Sequence, residues 1–287
     1  MIVEKLAIVG AGLIGGSFAL ALKRAGAVRE VLGLGRSPAS LDAALERGLI
    51  DRAVGWPEAG QADCILLALP VGDTAAVLKK LAPHLKAGAI VTDAGSTKAN
   101  VVATARAALG DRFADFVPGH PIAGSEQSGP GAARADLYQG KKVVLTPQAD
   151  THAGAIATVK ALWEAAGAQV EMLEAELHDR VFAAVSHLPH LAAFALVDEL
   201  AQRADGDTFF RYAASGFRDF TRIAGSSPEM WRDIALANRE ALLTELDAYV
   251  AALQVLRSAV AAEDADALRA IFSRAREARN DWVHKKP

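Results

Sequence analysis

Residues 119–126 place a titratable imidazole, a carboxylate and residues of special backbone geometry within one short segment. His120 lies between Gly119 and Pro121, and Glu126 closes the segment. An imidazole can accept or release a proton near neutral pH, and its neighbours would fix its direction. These residue types predict a reaction centre, so we expect the elements on either side of it to supply a cofactor and a substrate.

The composition of the 287-residue chain is typical of a soluble globular protein, with 52% hydrophobic and 23% charged residues. Its length predicts two domains. The 31 basic and 34 acidic residues nearly balance, which argues against a nucleic-acid partner and a polybasic membrane anchor. The sequence has no signal-peptide pattern and no uninterrupted apolar run of about 18 residues, so we expect a cytoplasmic protein without a membrane span.

A glycine-rich turn near the N-terminus has the pattern of a dinucleotide site. Residues 5–9 read as a short apolar strand and residues 17–25 as a helix, with the turn between them. Gly10 permits the tight turn, Gly12 lets a pyrophosphate approach the backbone, and Gly15 lets the helix pack close to the strand. A purely structural turn is the alternative. The predicted cofactor-binding residues of the turn are Gly10, Gly12, Leu13, Ile14 and Gly15.

The next strand, residues 30–34, ends in a way that bears on cofactor choice. A carboxylate about 20 residues past the glycines usually binds the ribose hydroxyls of NAD, but here Arg36 and Ser37 follow the strand. A guanidinium and a hydroxyl suit a ribose 2′-phosphate, so we favour NADP over NAD. If Arg36 is only an exposed loop cation, the choice between NAD and NADP stays open.

Strand and helix signals then alternate, which predicts an α/β fold with a Rossmann-like, doubly wound parallel sheet. The alternation runs through residues 38–48 (helix), 63–70 (strand), 74–85 (helix) and 89–93 (strand). Ligands of such sheets bind at the carboxyl ends of the strands, where Pro70 and Ser96 lie. We place both in the cofactor site and expect Thr97 to cap the next helix, residues 98–109.

A change of pattern predicts a domain boundary at Met172. Strand signals end there, and helical periodicity follows. The sequence therefore predicts a dinucleotide-binding domain over 1–172 and a helical substrate and dimerisation domain over 173–287. Long Ala/Leu-rich helices often bury a face against a second copy, so we expect a homodimer. The helices are expected at about 175–202, with an interruption at Pro189, and at about 209–217, 228–261 and 265–282.

Five motifs occur in a specific order along the chain. They are GAGLIGGS (10–17), DAGSTK (93–98), GHPIAGSE (119–126), VSHLPH (185–190) and GFRDFTRIA (216–224). Together they resemble the prephenate/arogenate dehydrogenase family of tyrosine biosynthesis. The resemblance implies NAD(P)-dependent oxidative decarboxylation by a Rossmann-like domain and a helical, dimer-forming domain. We expect neither the mutase-like block nor the regulatory ACT domain that some members of the family carry.

The resemblance also implies roles for individual residues. The family's substrate is a cyclohexadienyl compound with a ring hydroxyl and carboxylates, so its oxidation needs a base, cationic anchors and a nearby nicotinamide. His120 is the expected base, and Ser96 is expected to support it beside the nicotinamide. The implied substrate-binding residues are His190, Arg222, Arg218, Glu126 as a gate or polar neighbour, and Trp231 as a wall.

Several of these assignments have structural alternatives. Ser96 could cap a helix, Arg218 could form a surface ion pair, and Trp231 could be a core residue. His187 and His190 are three residues apart on a predicted helix, but no third ligand is evident, so we expect no metal and a structural role for His187. Glu126 and Asp179 are candidates for pairing with the ammonium group that distinguishes arogenate from prephenate. The histidines outside the motifs, expected at the surface, are His84, His152, His178 and His284.

Two other functions stay open from the residues alone. Similar two-domain hydroxyacid dehydrogenases and imine reductases use a lysine in the helical half, but residues 174–283 contain none. A noncatalytic NADP-binding dimer would not need the combination of His120, His190 and Arg222.

Overall fold

The computed structural model describes residues 1–125 and 127–284. The chain divides into two compact units, one from Met1 to Arg239 and one that begins at Glu240. The first unit contains both sheets and the helices up to residue 237. The boundary predicted at Met172 falls inside this unit, at the end of its last strand, and stays a prediction about domains.

A six-stranded parallel sheet forms the first part of the chain, in the order β3-β2-β1-β4-β5-β6. Its strands are β1 Val3–Val9, β2 Val28–Leu34, β3 Arg52–Ala53, β4 Cys64–Leu67, β5 Ile90–Asp93 and β6 Phe116–Val117. Leu6 and Ile8 of β1 point into one core, and Ala7 and Val9 point into the other. Both faces of the sheet are therefore covered, which is why its strands read as apolar runs rather than alternating patterns.

Helices cover the two faces of this sheet. They are α1 Leu13–Arg24, α2 Pro38–Glu46, α3 Trp56–Ala59, α4 Thr74–Leu81, α5 Ala99–Leu109 and α6 Ala153–Ala165. On one face Phe18 of α1 packs against Trp163 of α6, with ring centroids 4.2 Å apart. The hydroxyl of buried Tyr138 donates a 2.6 Å hydrogen bond to the carbonyl of Ile14, which fixes the start of α1 near the glycine turn.

A second, three-stranded sheet holds the segment that contains His120. Its strands are β7 Gly119–Pro121, β8 Lys142–Leu145 and β9 Gln169–Met172. β7 runs antiparallel to β8, and β8 runs parallel to β9. A Cβ at Gly119 would lie 3.0 Å from the carbonyl oxygen of Asp93, so the glycine allows β7 to approach β5 closely. This approach places His120 beside the carboxyl edge of the main sheet.

A continuous helix from Ala175 to Ala201 follows the second sheet. It consists of α7 Ala175–Phe182, a π-helical segment Ala183–His187 and α8 Leu188–Ala201. The sequence predicts an interruption at Pro189, but the helix continues, because the proline stands in the first turn of α8, where its missing N–H is tolerated after the wider π-helical turn.

The same 27-residue helix is long and apolar enough, by length and composition alone, to cross a membrane. This differs from the expectation of no span-like segment. Its most apolar window has a mean hydropathy of 1.5, and only 22% of that window is buried within the chain. The helix also carries His178 and Asp179, which are buried in the first compact unit.

The remaining helices are α9 Gly206–Tyr212, α10 Ser215–Thr221, α11 Pro228–Ala237, α12 Arg239–Ala261 and α13 Ala265–His284. The sequence predicts one helix over 228–261, but the structure divides this range at Asn238. The Asn238 amide donates to the carbonyl of Asp179 at 2.8 Å and to Nδ1 of His187 at 3.0 Å. These long-range bonds hold Asn238 outside the helical conformation and end α11 there.

Candidate active site

His120 is the first member of a hydrogen-bonded chain of three side chains. Its Nδ1 lies 2.9 Å from Nε2 of His178, and Nδ1 of His178 lies 2.8 Å from Oδ1 of Asp179. The Phe182 ring covers the imidazole of His120 at a centroid distance of 4.9 Å. His178 was expected at the surface but is fully buried, because its position on α7 points its ring at β7.

The hydrogen bonds fix which nitrogens carry protons. The carboxylate of Asp179 can only accept, so Nδ1 of His178 donates and its Nε2 accepts. Nδ1 of His120 must then donate to His178, and Nε2 of His120 keeps a free lone pair. The site therefore presents His120 Nε2 as a proton acceptor.

Burial sets the charges along this chain. Desolvation lowers the pKa of His120 well below its ordinary value, and the nearby His178 and Lys98 act in the same direction. Burial also lowers the pKa of His178, although Asp179 opposes the shift. For Asp179 burial disfavours the charge, but hydrogen bonds from His178, Ala99 and Lys98 lower its pKa overall. At neutral pH the imidazoles of His120 and His178 are therefore neutral, and Asp179 carries a negative charge.

Asp179 also caps α5, one of the helices that cover the main sheet. Its Oδ1 accepts from the backbone N–H of Lys98 at 2.7 Å, and its Oδ2 accepts from that of Ala99 at 2.8 Å. The predicted cap, Thr97, is wrong: α5 begins only at Ala99, and within the described residues Oγ1 of buried Thr97 has no hydrogen-bond partner. Because both oxygens of Asp179 are engaged, it is poorly placed to bind the ammonium group considered for it.

A buried ion pair positions β7. Nζ of the fully buried Lys98 contacts Oδ2 of Asp93 and donates to the carbonyl of Gly119 at 2.7 Å. Oδ1 of Asp93 accepts from the N–H of Gly119 at 3.0 Å. Burial lowers the pKa of Lys98, and the charge of Asp93 opposes that shift. The pair thus binds both backbone groups of the residue that precedes His120.

Ser96 is half-buried just past the carboxyl end of β5. Within residues 1–125 and 127–284 it forms no hydrogen bond to His120; the partner of His120 is His178. The predicted role of Ser96 beside the nicotinamide stays a prediction.

A second group of predicted residues lies on α8, on α11 and after α10. The His190 ring stacks on Trp231 with a centroid distance of 3.6 Å and an interplanar angle of 20°. Nδ1 of His190 donates to the carbonyl of Ser186 at 2.9 Å, so its Nε2 can accept a hydrogen bond. Arg222 begins a turn that packs against α8. Burial lowers the pKa of His190, the hydrogen bond to Ser186 opposes this shift, and the charge of Arg222 adds to it. Trp231 is buried in the core with Val71, and its predicted role as a wall of the substrate site stays a prediction.

The two predicted arginines are exposed. Arg218 lies on α10, and Arg222 begins the 3-10 turn Arg222–Gly225 that packs against α8. Glu126, predicted as a gate or polar neighbour, lies outside the described residues. Its predicted role is untested.

His187 is buried and hydrogen-bonded to Asn238. Its Nδ1 accepts from Asn238, and burial lowers its pKa to about 4. In the part of the chain that the structure describes, no group of three or more side chains could hold a metal ion.

Two glycines of the turn after β1 stand where a side chain would not fit. Gly10 has φ +99°, and a Cβ there would lie 2.2 Å from the carbonyl oxygen of Ala68. A Cβ at Gly15 would lie 2.3 Å from the carbonyl oxygen of Gly10. At Gly12, by contrast, a Cβ would meet Cα of Gly129 at 3.9 Å, an ordinary contact distance. The contacts at Gly10 and Gly15 fit the roles predicted for those two glycines, and the role of Gly12 stays a prediction. In the described part of the chain no side chain caps the start of α1, so its first amides are the groups that would bind a pyrophosphate.

The residues after β2 have partners of their own. Oγ of Ser37 accepts from the N–H of Ser40 at 3.3 Å and caps α2. Nη1 of Arg36 lies 3.3 Å from Oδ2 of Asp73. Pro70 precedes the short 3-10 turn Val71–Asp73 that carries this acid.

Two family models match the chain in succession. The first describes the nucleotide-binding domain of prephenate dehydrogenase and matches residues 18–172. The second describes the dimerization domain of prephenate dehydrogenase and matches residues 174–274. The chain belongs to the prephenate dehydrogenase family.

Individual relatives agree with this assignment over nearly the whole chain. The cyclohexadienyl dehydrogenase of Zymomonas mobilis is 39% identical over 280 residues, which are 96% of this chain and 95% of the relative. A crystal structure of prephenate dehydrogenase from Aquifex aeolicus with hydroxyphenyl propionate and NAD+ is 39% identical, with a TM-score of 0.91 over 97% of this chain and 98% of that one. Synechocystis arogenate dehydrogenase is 31% identical, with a TM-score of 0.81 over 97% and 100%.

The predicted family and the predicted fold, a Rossmann-like α/β sheet followed by helices, are therefore confirmed. The chain is an oxidoreductase for NAD(P)-dependent oxidative decarboxylation in tyrosine biosynthesis, and its cofactor is a nicotinamide dinucleotide. The alternative of a different two-domain dehydrogenase is not supported. The family signal is specific because both family models match, each on its own half of the chain.

Proposed function

We propose that this chain oxidises prephenate, arogenate or both, with His120 as the base. The observation that supports this most directly is the chain Asp179–His178–His120, which leaves Nε2 of His120 free to accept a proton. The substrate's ring hydroxyl would give its proton to this nitrogen. The carbinol carbon loses a hydride, the ring carboxylate leaves as carbon dioxide, and the ring becomes aromatic. The bound nicotinamide supplies the hydride acceptor.

The buried carboxylate supports the base during the transfer. When His120 accepts the proton it becomes a cation, and its Nδ1–H already donates to His178. The negative charge of Asp179, which is hydrogen-bonded to His120 through His178, stabilises that cation. Because burial lowers the pKa of His120, the imidazole is neutral and ready to accept a proton at neutral pH.

Cationic and aromatic groups would hold the substrate. Arg222 and Arg218 present forked donors for carboxylates. His190 Nε2 can bind a hydroxyl or a protonated group, and Trp231 stacks behind it as a flat wall. We propose that Glu126 lies near the substrate's side chain and that Ser96 lies near the nicotinamide.

For the cofactor we propose NADP in preference to NAD. No carboxylate ends β2, and Arg36 with Ser37 can bind a 2′-phosphate. The Aquifex relative was solved with NAD+, so NAD is the competing candidate. The residues proposed to hold the pyrophosphate and ribose are Gly10, Gly12, Leu13, Ile14, Gly15, Arg36, Ser37 and Pro70.

We further propose a cytoplasmic homodimer with a dinucleotide domain over 1–172 and a helical domain over 173–287. The match to a dimerization domain and the exposed apolar face of α8 support this arrangement. A membrane partner is not proposed, because the same helix contributes His178 and Asp179 to the site.

The test is the initial rate of reduced-cofactor formation with prephenate or arogenate, each with NAD or NADP. Activity in one or more of the four combinations is expected, and the pattern identifies both preferences. The His120→Asn variant serves as the control and should lose about 10²- to 10⁴-fold in kcat while still binding cofactor. If all four combinations are silent in folded protein that binds NADP, the proposal is wrong and a noncatalytic binding role replaces it.

A further inference from the structure

Asp73 ends the 3-10 turn Val71–Asp73, which runs directly into α4. Among the described residues, no helix amide donates to its side chain. Oδ2 of Asp73 instead lies 3.3 Å from Nη1 of Arg36. The partner of this carboxylate is therefore the cation that follows β2.

The ion pair crosses the edge of the sheet where the dinucleotide binds. Arg36 follows β2 and Asp73 follows β4, and these two strands flank β1 in the sheet. Since neighbouring strands lie about 4.8 Å apart, the two chain ends are separated by roughly 10 Å, and the side chains bridge that gap above the carboxyl end of β1. The glycine turn that begins at Gly10 lies at that end. The adenine ribose of a dinucleotide is held beside the end of β2, next to this pair.

Packing on the other side holds Asp73 in place. The turn Val71–Asp73 contacts α11, where a Cβ at Gly72 would lie 2.8 Å from Oδ2 of Asp233. Val71 is buried in the same core as Trp231 and Ile234. The acid therefore stands on a turn that packs against α11, and Arg36, whose side chain is 84% exposed, is the more accessible partner.

We propose that Asp73 sets the balance between NADP and NAD by competing with the ribose 2′-phosphate for Arg36. This inference rests on the proposed role of Arg36 in NADP binding. With NAD bound, Arg36 keeps its pair with Asp73. With NADP bound, the 2′-phosphate pairs with the Arg36 guanidinium. The Asp73 carboxylate then loses its partner and lies close to the negative phosphate. Asp73 thus weakens NADP binding and allows NAD to compete.

The test measures dissociation constants for NAD+ and NADP+ by calorimetry on the full chain without substrate, so that no turnover is needed. Asp73→Asn is expected to tighten NADP+ binding roughly two- to fivefold at low salt, which is the range expected for one exposed charge, with little change for NAD+. The gain should shrink as salt is added. Asp73→Ser removes the same charge with a smaller side chain, and it provides the same test if the asparagine variant folds poorly.

Glu46→Gln is the matched control, because it removes one exposed negative charge at the far end of α2. It should leave both constants unchanged. Arg36→Gln and the double variant complete the comparison. The gain from Asp73→Asn should largely disappear in the Arg36→Gln background, because no guanidinium remains to be released.

Each outcome has one meaning. If Arg36→Gln weakens NADP+ selectively but Asp73→Asn leaves the ratio of the two constants unchanged, the role of Asp73 is refuted and that of Arg36 stands. If Arg36→Gln weakens both cofactors equally, the proposed basis for NADP preference fails, and this inference fails with it. If Asp73→Asn tightens NADP+ binding equally with and without Arg36, the effect is direct repulsion between the Asp73 carboxylate and the 2′-phosphate. The proposed competition for Arg36 would then be refuted.

Discussion

At the residue scale, the reactivity of His120 depends on a carboxylate that never contacts it. Asp179 orients His178, which orients His120, and the same carboxylate binds the first amides of α5. An asparagine at this position has one acceptor oxygen and two amide protons. Its amide group would therefore face another donor, either a backbone N–H or the Nδ1–H of His178.

We expect Asp179→Asn to lower kcat by about 10²-fold, because His178 can no longer hold His120 in the productive tautomer. Steady-state kinetics with direct measurement of cofactor binding would check this, since the dissociation constant should change much less than kcat. Asn238→Ala is the control: it removes a bond to the Asp179 carbonyl but leaves the carboxylate chain intact. Equal losses of kcat in the two variants would indicate a general packing defect instead.

The pH dependence of kcat/KM should report the ionisation of the half-buried His120 imidazole. Its neutral form is the base, and burial lowers its pKa, so activity is retained as pH falls past the ordinary histidine value of about 6.5 and is lost only at lower pH. A pH profile with circular dichroism at each point would separate protonation from unfolding. An acidic limb at or above 6.5 in folded protein would contradict the assignment.

At the element scale, the position of β7 is set by contact with β5. Gly119 lies against the carbonyl of Asp93, and its own backbone groups bind Asp93 and Lys98. A side chain at this position would push β7 and His120 away from the sheet edge.

Gly119→Ala is therefore expected to lower kcat at least tenfold and to destabilise the fold by about 1–3 kcal/mol, as overpacking does. Kinetics and urea unfolding would measure the two effects. The control, Gly154→Ala in α6, places a Cβ where nothing lies within 4 Å, and it should be neutral or slightly stabilising. Wild-type kcat in Gly119→Ala would show that β7 tolerates displacement.

Several elements could be predicted from the sequence because their signals are local. The apolar runs and the turn at Gly10 predicted the Rossmann-like sheet, and Gly119 and His120 were identified within the segment that became β7. The burial of His178, the cap from Asp179 and the break at Asn238 could not be predicted, because each depends on a contact between residues more than 50 positions apart. The only local signal for His178 was an acid directly after it.

At the scale of the whole molecule, the helix Ala175–Ala201 presents apolar side chains that this chain alone leaves uncovered. Val185 is 66% exposed and Leu196 is 37% exposed. A second copy packed on this face would bury them, as expected for a family with a dimerization domain.

We expect the purified chain to have twice its monomer mass of 30.0 kDa and Leu196→Glu to weaken the dimer. Light scattering over a dilution series would measure this. Leu45→Glu on α2 is the control, since Leu45 is also 37% exposed and the change is identical. A monomeric wild-type chain, or equal effects of the two variants, would refute an interface on α8.

The π-helical segment Ala183–His187 has a consequence for how the chain can tolerate insertions and deletions. His178 and His190 are 12 positions apart. In a regular α-helix, at about 100° per residue, they would point about 120° apart. Because one π-helical turn takes up an extra residue, the pair behaves as if about 11 positions apart, which leaves only about 20° between them. Deleting one codon from this segment would give the two histidines the same 11-residue spacing in a regular α-helix, but Pro189 would then stand inside that helix and kink it.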